Sequence, residues 1–129
     1  MMTKKLLIDY VAVGGAGFFG AIARFFVGRL FPFSAFPVGT LVINVSGSLF
    51  LGWFLTVAGT RIPMSESTRL AVAVGFVGAY TTFSTYMFDA NRMLSDGQAW
   101  RSFLYIAGSV VLGLFAVRFG VMIGHWMGG

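Results

Sequence analysis

Four long apolar segments, separated by turns of only a few polar residues, govern what this chain can fold into. A helix needs about 20 predominantly apolar residues to cross the hydrocarbon core of a bilayer. The first segment runs from Leu6 to roughly Gly28 and carries Arg24 near its far end. The second lies in the longest charge-free run, Leu30 to Thr60. Pro32 and Pro37 would break a helix interior, so the helix proper is expected to start near Val38. After the short turn Arg61 to Glu66, Ser65 or Ser67 can cap a third helix from Thr68 to about Arg92. The turn Ser95-Asp96-Gly97-Gln98 leads to a fourth helix from Trp100 to about His125, bracketed by Trp100 and Trp126 as interfacial aromatics should be. The expectation is an all-α integral membrane protein, multi-pass, with one four-helix domain over residues 1–129.

Composition excludes the alternatives. Only 10% of the residues are charged, whereas a water-soluble surface takes roughly a quarter. Cysteine is absent, which rules out disulfides and thiolate metal sites. A net charge of +5 could suggest nucleic acid, but the nine basic residues are scattered singly rather than clustered, so no nucleic-acid partner is expected. The opening Met1-Met2-Thr3-Lys4-Lys5 imitates a signal peptide. Asp9 interrupts its apolar region and the hydrophobic stretch continues past Val27, so it reads as the first span.

Charge placement bears on orientation. Lys4, Lys5, Arg61 and Arg69 fall on the side holding the N-terminus, and Arg24, Arg29, Arg92 and Arg101 on the other. The positive-inside rule has little to act on. A chain that inserts both ways up, pairing as an antiparallel dimer, would show such a balance. Four helices of this length make a packed bundle without a pore of their own, which also points to an oligomer.

Polar residues inside the spans must face protein or a water-filled cavity. Thr40, Asn44, Ser48 and Gly52 share one face of the second helix; Tyr105, Ser109 and Gly113 share one face of the fourth. Helix packing through small residues accounts for Gly120-x-x-x-Gly124, for Gly14 and Gly15, and for Ser48. It does not account for Asn44, whose amide is costly in hydrocarbon unless partnered. Nor does it explain the third helix, where six of the seven residues from Tyr80 to Tyr86 carry hydroxyls behind Gly75-x-x-Gly78. That composition favours a local break, tolerated at mid-depth only inside protein and often marking an ion site.

Arg24 reads as the only strongly basic residue well inside an apolar segment: it either snorkels to the interface or lends positive potential to an anion entrance. The carboxylates Asp9, Glu66, Asp89 and Asp96 read as helix-end or turn residues. A proton-coupled transporter would then lack its usual carrier. No nucleophile–base pair or metal-ligating cluster stands out, so no enzyme is expected.

Three segments resemble the small bacterial fluoride-channel family, the Fluc-type channels: Gly20 to Phe25, Pro37 to Gly47, and Gly75 to Tyr86. The resemblance implies a dual-topology antiparallel homodimer in the inner membrane, with two fluoride pathways lined by both subunits. It puts the family's pore asparagine on Asn44, its first-helix arginine on Arg24, its paired phenylalanines on Phe83 and Tyr86, and the adjoining hydroxyl track on Ser84 and Thr85. Thr40 and Ser109 would extend the pathway. A structural sodium ion at the dimer centre would be held by backbone carbonyls of Gly78 and Thr81. The chain departs from the family pattern at Tyr86, where phenylalanine is usual, at Ala79, where glycine is frequent, and at Asp89, where glutamate is common.

These residue types suit the ion. Fluoride holds its water tightly, so a pathway must replace that shell with fixed neutral donors such as Asn44, Ser84 and Thr85, several weak sites in succession allowing entry and exit. The positive edge of an aromatic ring can also approach an anion. The competing reading is a dual-topology four-helix multidrug-type exporter, which would need a carboxylate within its first span. A non-conducting assembly subunit would explain the glycine-rich faces but not Asn44. Because the chain has no native cysteine, Ser95→Cys supplies a single topology reporter. It is expected to react with an impermeant thiol reagent from both sides of intact membranes. Labelling from one side alone would rule out dual topology.

Overall fold

A computed structural model describes residues 2–32 and 34–128, and every regular element among them is helical. Helix α1 spans Lys4–Leu30, its first turn capped by the Thr3 hydroxyl, which accepts from Leu6 N–H at 3.3 Å. Helix α2 spans Val38–Thr60 and begins directly after Pro37, as the fixed φ of proline requires. The third span comes in two pieces. Its first piece, α3, covers 66–80: an α-helical start at Glu66–Leu70, a π-helical stretch at Ala71–Val77 and a last turn at Gly78–Tyr80. Of the two candidate caps it is Ser65 that serves, accepting from Thr68 N–H at 3.1 Å. Thr81 and Thr82 are extended, and α4 restarts over Phe83–Ser95. Gly97, at φ +73°, makes the turn into α5, Ala99–Trp126. All four spans are long and apolar enough to cross a membrane.

Backbones approach closely at two seams, and glycine permits both. Between α1 and α3, a Cβ on Gly20 would run into the Phe76 carbonyl, and one on Gly75 into that of Val13. Between α2 and α5, Gly52 lies against the Val117 carbonyl, Gly120 against Leu49 and Gly124 against Thr56. In lipid there is no hydrophobic drive between helices, so this van der Waals contact is a large part of what holds them. Helix α4 closes on α5 through a small core of Tyr86, Ala90, Met93 and Tyr105, with Ser102 donating to the Ala90 carbonyl at 2.8 Å. At the end holding the N-terminus, Lys5 pairs with Glu66 at 2.7 Å and Ser67 donates to Asp9.

Three sequence expectations change here. Gly14 and Gly15 are not packing residues within the subunit: a Cβ at either would meet nothing within 4 Å. Their face of α1 points out of the bundle, and the contact is made from Gly17 and Gly20. Arg24 is not the only arginine within a span, since Arg118 sits inside α5, on its exposed face. Asp9 and Asp89 are not terminal either; both lie inside helices.

Gly120→Ala should separate α2 from α5 and lower the midpoint of thermal unfolding in detergent, with an overpacking cost of about 1–3 kcal/mol. Gly14→Ala, placed in open space, should leave the midpoint unchanged or slightly raised. Equal losses in both variants would contradict the seam.

Candidate ion pathway

The break at Thr81–Thr82 leaves backbone groups without helical partners, and four side chains attend to them. Asn44, on α2, straddles the gap: its Oδ1 accepts from Thr82 N–H at 2.8 Å and its Nδ2 donates to the Thr82 carbonyl at 3.0 Å. Arg24, on α1, donates its Nε–H to the Ala79 carbonyl at 3.0 Å. Thr81 folds its own hydroxyl back onto the Val77 carbonyl at 3.0 Å, and the Thr82 hydroxyl accepts from Thr85 N–H at 3.2 Å, capping α4. The amide of Asn44 therefore repeats, from a side chain, what a β-ladder partner would do for one residue. One of its two N–H groups remains available for an ion.

Two cavities meet at this staple, and Thr82 lines both. The larger, about 630 Å³, opens where α1 ends and is walled by Arg24, Phe25, Thr40, Thr85 and Asp89 among others. The smaller, about 280 Å³, is walled by Asn44, Ser48, Thr81, Phe83 and Tyr86. Arg24 thus does two things at once: it holds the carbonyl at the end of α3 and faces the larger cavity with its remaining N–H groups. A cation beside the C-terminal end of a helix is also favourably placed in the helix field.

Phe83 and Tyr86 form an edge-to-face pair with centroids 6.0 Å apart, but their surroundings differ. Phe83 is 72% exposed and projects from the subunit, whereas Tyr86 is buried against α5. Thr85 reaches the larger cavity; Ser84 lines neither, its nearest polar neighbour being the Thr82 hydroxyl at 3.4 Å. The expected Ser84–Thr85 track is therefore split within one subunit, because successive helical residues point some 100° apart. Ser109 also lines neither cavity and has its hydroxyl oxygen buried without a partner.

Asp89 is the residue that sequence reasoning misplaced. It lies seven residues beyond the break, about 10 Å along the helix, and lines the larger cavity. Thr40 donates to its carboxylate at 2.7 Å and Tyr105 at 3.3 Å. Its position three residues after Tyr86, on the same face, was the available signal.

The Gly78 and Thr81 carbonyls, expected to hold sodium, suit a hard cation. Thr82 N–H, which would bond Gly78 in a continuous helix, is given to Asn44, and Thr85 N–H, which would bond Thr81, goes to the Thr82 hydroxyl. Space beside Gly78 is open, with nothing within 4 Å of where a Cβ would stand. Among the described residues there is no cluster of acidic, histidine or cysteine side chains that could take an ion instead.

Residues 10–121 match the model of the family described as CrcB-like protein, Camphor Resistance (CrcB). The chain belongs to that family. The matched stretch includes every candidate residue above, from Arg24 to Ser109. CrcB-family relatives named fluoride-specific ion channel FluC include one from Acidobacterium capsulatum, 42% identical across 90% of this chain and 94% of the relative. Another, from Chlorobium phaeobacteroides, is 40% identical across 86% and 88%. A third, from Trichormus variabilis, is 38% identical across 99% and 96%. Coverage of this extent leaves no span of the bundle outside the similarity.

Asn44→Ala removes a donor and an acceptor at once and strands Thr82 N–H and C=O at mid-span. The expected loss of stability is roughly 2–4 kcal/mol, read as a lower unfolding midpoint in detergent. An unchanged midpoint would mean that the break is satisfied without Asn44.

Proposed function

We propose that this chain is a fluoride-selective channel, not an enzyme, that lets fluoride leave the cell passively across the inner membrane. One observation carries the reading. At a mid-span break, neutral donors (Asn44 Nδ2, Thr82 and Thr85 hydroxyls) and an aromatic edge gather on cavities that carry a single carboxylate, Asp89. The names of the CrcB-family relatives point to the same ion.

The subunit supplies half of each pathway. Phe83, exposed and directed away from its own bundle, suits a second copy's pathway better than its own. An antiparallel homodimer, in keeping with the balanced basic residues, would bring Phe83 of one subunit toward Asn44 and Tyr86 of the other and create two equivalent pathways. The two breaks would then face each other, and a sodium ion shared by Gly78 and Thr81 carbonyls from both subunits would satisfy oxygens that no water can reach. That is where mid-membrane carbonyls most need a partner, each lone group costing several kcal/mol.

Liposomes containing only this protein decide the matter. Fluoride efflux should run down its own gradient without a proton gradient, and chloride should not follow. Phe83→Ile should cut the rate more than its small change in bulk suggests, since isoleucine has no polarised edge. Preparing the protein with a bulky organic cation in place of sodium should lower both flux and dimer stability. Efflux that needs a proton gradient would favour an exporter using Asp9 or Asp89; no efflux at all would favour a non-conducting subunit.

A further inference from the structure

Arg118 is a charge well inside a span that the bundle leaves unanswered. Other charged residues at depth are engaged: Arg24 donates to the Ala79 carbonyl, Asp9 accepts from Ser67, and Asp89 accepts from Thr40 and Tyr105. Arg118 has no hydrogen bond, ion pair or ring contact among the described residues. Helix α5 is 28 residues long, about 42 Å against roughly 30 Å of hydrocarbon, so each end overhangs by about 6 Å. Arg118 lies eight residues before Trp126, the last residue of the helix. That is about 12 Å along the axis, which leaves its Cα about 6 Å inside the hydrocarbon. A guanidinium left bare at that depth is costly.

The face of α5 that carries it is not a packing face of the subunit. Gly113, Gly120 and Gly124 lie toward α2, and Arg118 stands about 120–160° round the helix from them. Leu114, Phe115, Met122 and His125 share its side of the helix, at spacings of three, four and seven residues, and all four are exposed. His125 lies in the last turn of α5, and helical side chains lean toward the helix N-terminus, which brings its ring back over Met122 in the direction of Arg118. One apolar strip thus carries a cation at its inner edge and a second N–H donor where the helix leaves the hydrocarbon.

We propose that this strip is a docking site for one anionic phospholipid, whose phosphate pairs with Arg118 and whose acyl chain lies along Leu114, Phe115 and Met122. A long arginine side chain rises toward the interface while its stem stays in hydrocarbon. From about 6 Å down, that reach ends at the level of the lipid phosphates rather than in bulk water. The planar guanidinium then meets a phosphate with two parallel N–H···O bonds, which an ammonium cannot do. A zwitterionic lipid carries its own cation beside the phosphate and competes with Arg118, so a lipid of net negative charge is favoured. His125 N–H lies on the headgroup side of the same phosphate. The site is independent of the channel reading, since no group in it borders either cavity.

The test is the unfolding midpoint of the full chain in nonionic detergent, titrated with phosphatidylglycerol or with phosphatidylcholine. Phosphatidylglycerol should raise the wild-type midpoint saturably, and phosphatidylcholine much less. Arg118→Leu should start no lower in detergent alone, because it takes a charge off an apolar face. It should nevertheless need at least about tenfold more phosphatidylglycerol for half the rise, the size of a charge-assisted hydrogen bond. Arg118→Lys keeps the charge without the planar fork and should fall between the two. Inorganic phosphate has no acyl chain to seat and should not protect; protection by it alone would make this a free-anion site and overturn the lipid assignment. An unchanged phosphatidylglycerol response in Arg118→Leu would overturn the proposal, as would equal responses of the wild type to the two lipids. An Arg118→Leu protein that falls to monomers whatever the lipid would make this face an interface between copies, and would overturn it too. Fluoride efflux is not part of the readout, so failure here leaves the channel reading standing.

Discussion

A break in a membrane helix must have its backbone groups satisfied by protein, because the bilayer core offers no water. The third span breaks at Thr81–Thr82, and the rest of the bundle is arranged around that debt. Asn44 reaches across from α2 to take both main-chain groups of Thr82, Arg24 comes from α1 to the Ala79 carbonyl, and the threonines cap what remains. The residues that stabilise the break are thereby the ones that surround the cavities. In this protein the polar groups that make the fold permissible and those that could guide an ion are the same groups.

Such reach requires close helices. Asn44 and Arg24 can bond the break because glycines let α1 and α2 approach their neighbours to backbone distance. The π-helical stretch before the break contributes by re-aiming the last turn of α3, where one extra residue per turn shifts the following side chains around the axis. Packing and chemistry are coupled through distance: a seam wider by one methyl group would put the Asn44 amide out of hydrogen-bond range of Thr82.

Asp89 shows how the same economy handles charge. A carboxylate on a cavity proposed to pass an anion would repel it if left bare. Donation from Thr40 and Tyr105 spreads that charge and turns two hydroxyls away from the cavity and toward the acid. The aromatic cluster of Phe36, Tyr86 and Tyr105 fixes the second of those donors, Tyr105. Tyr86 joins this cluster with its ring and the α5 backbone with its hydroxyl, so one side chain belongs to both the core and the cavity wall.

Four spans, their turns and the break in the third were legible in the sequence, since length, apolarity, proline and the hydroxyl run act locally and need no partner. Asn44 was legible too, because a carboxamide in hydrocarbon demands an explanation wherever the chain goes. Which groups it would bond was not, nor that Arg24 would take a particular carbonyl. Asp89 was misread because distance from a helix end is visible in sequence, whereas the face it shares with Thr40 and Tyr105 depends on how α2, α4 and α5 cross. Gly14 and Gly15 were misread for the same reason: periodicity says which residues share a face but not which face meets a neighbour. The sequence by itself determined the solvent, the number of crossings and where the backbone would interrupt. Only the tertiary structure decided the partners, because hydrogen bonds act over about 3 Å and the residues that meet lie as many as 74 positions apart.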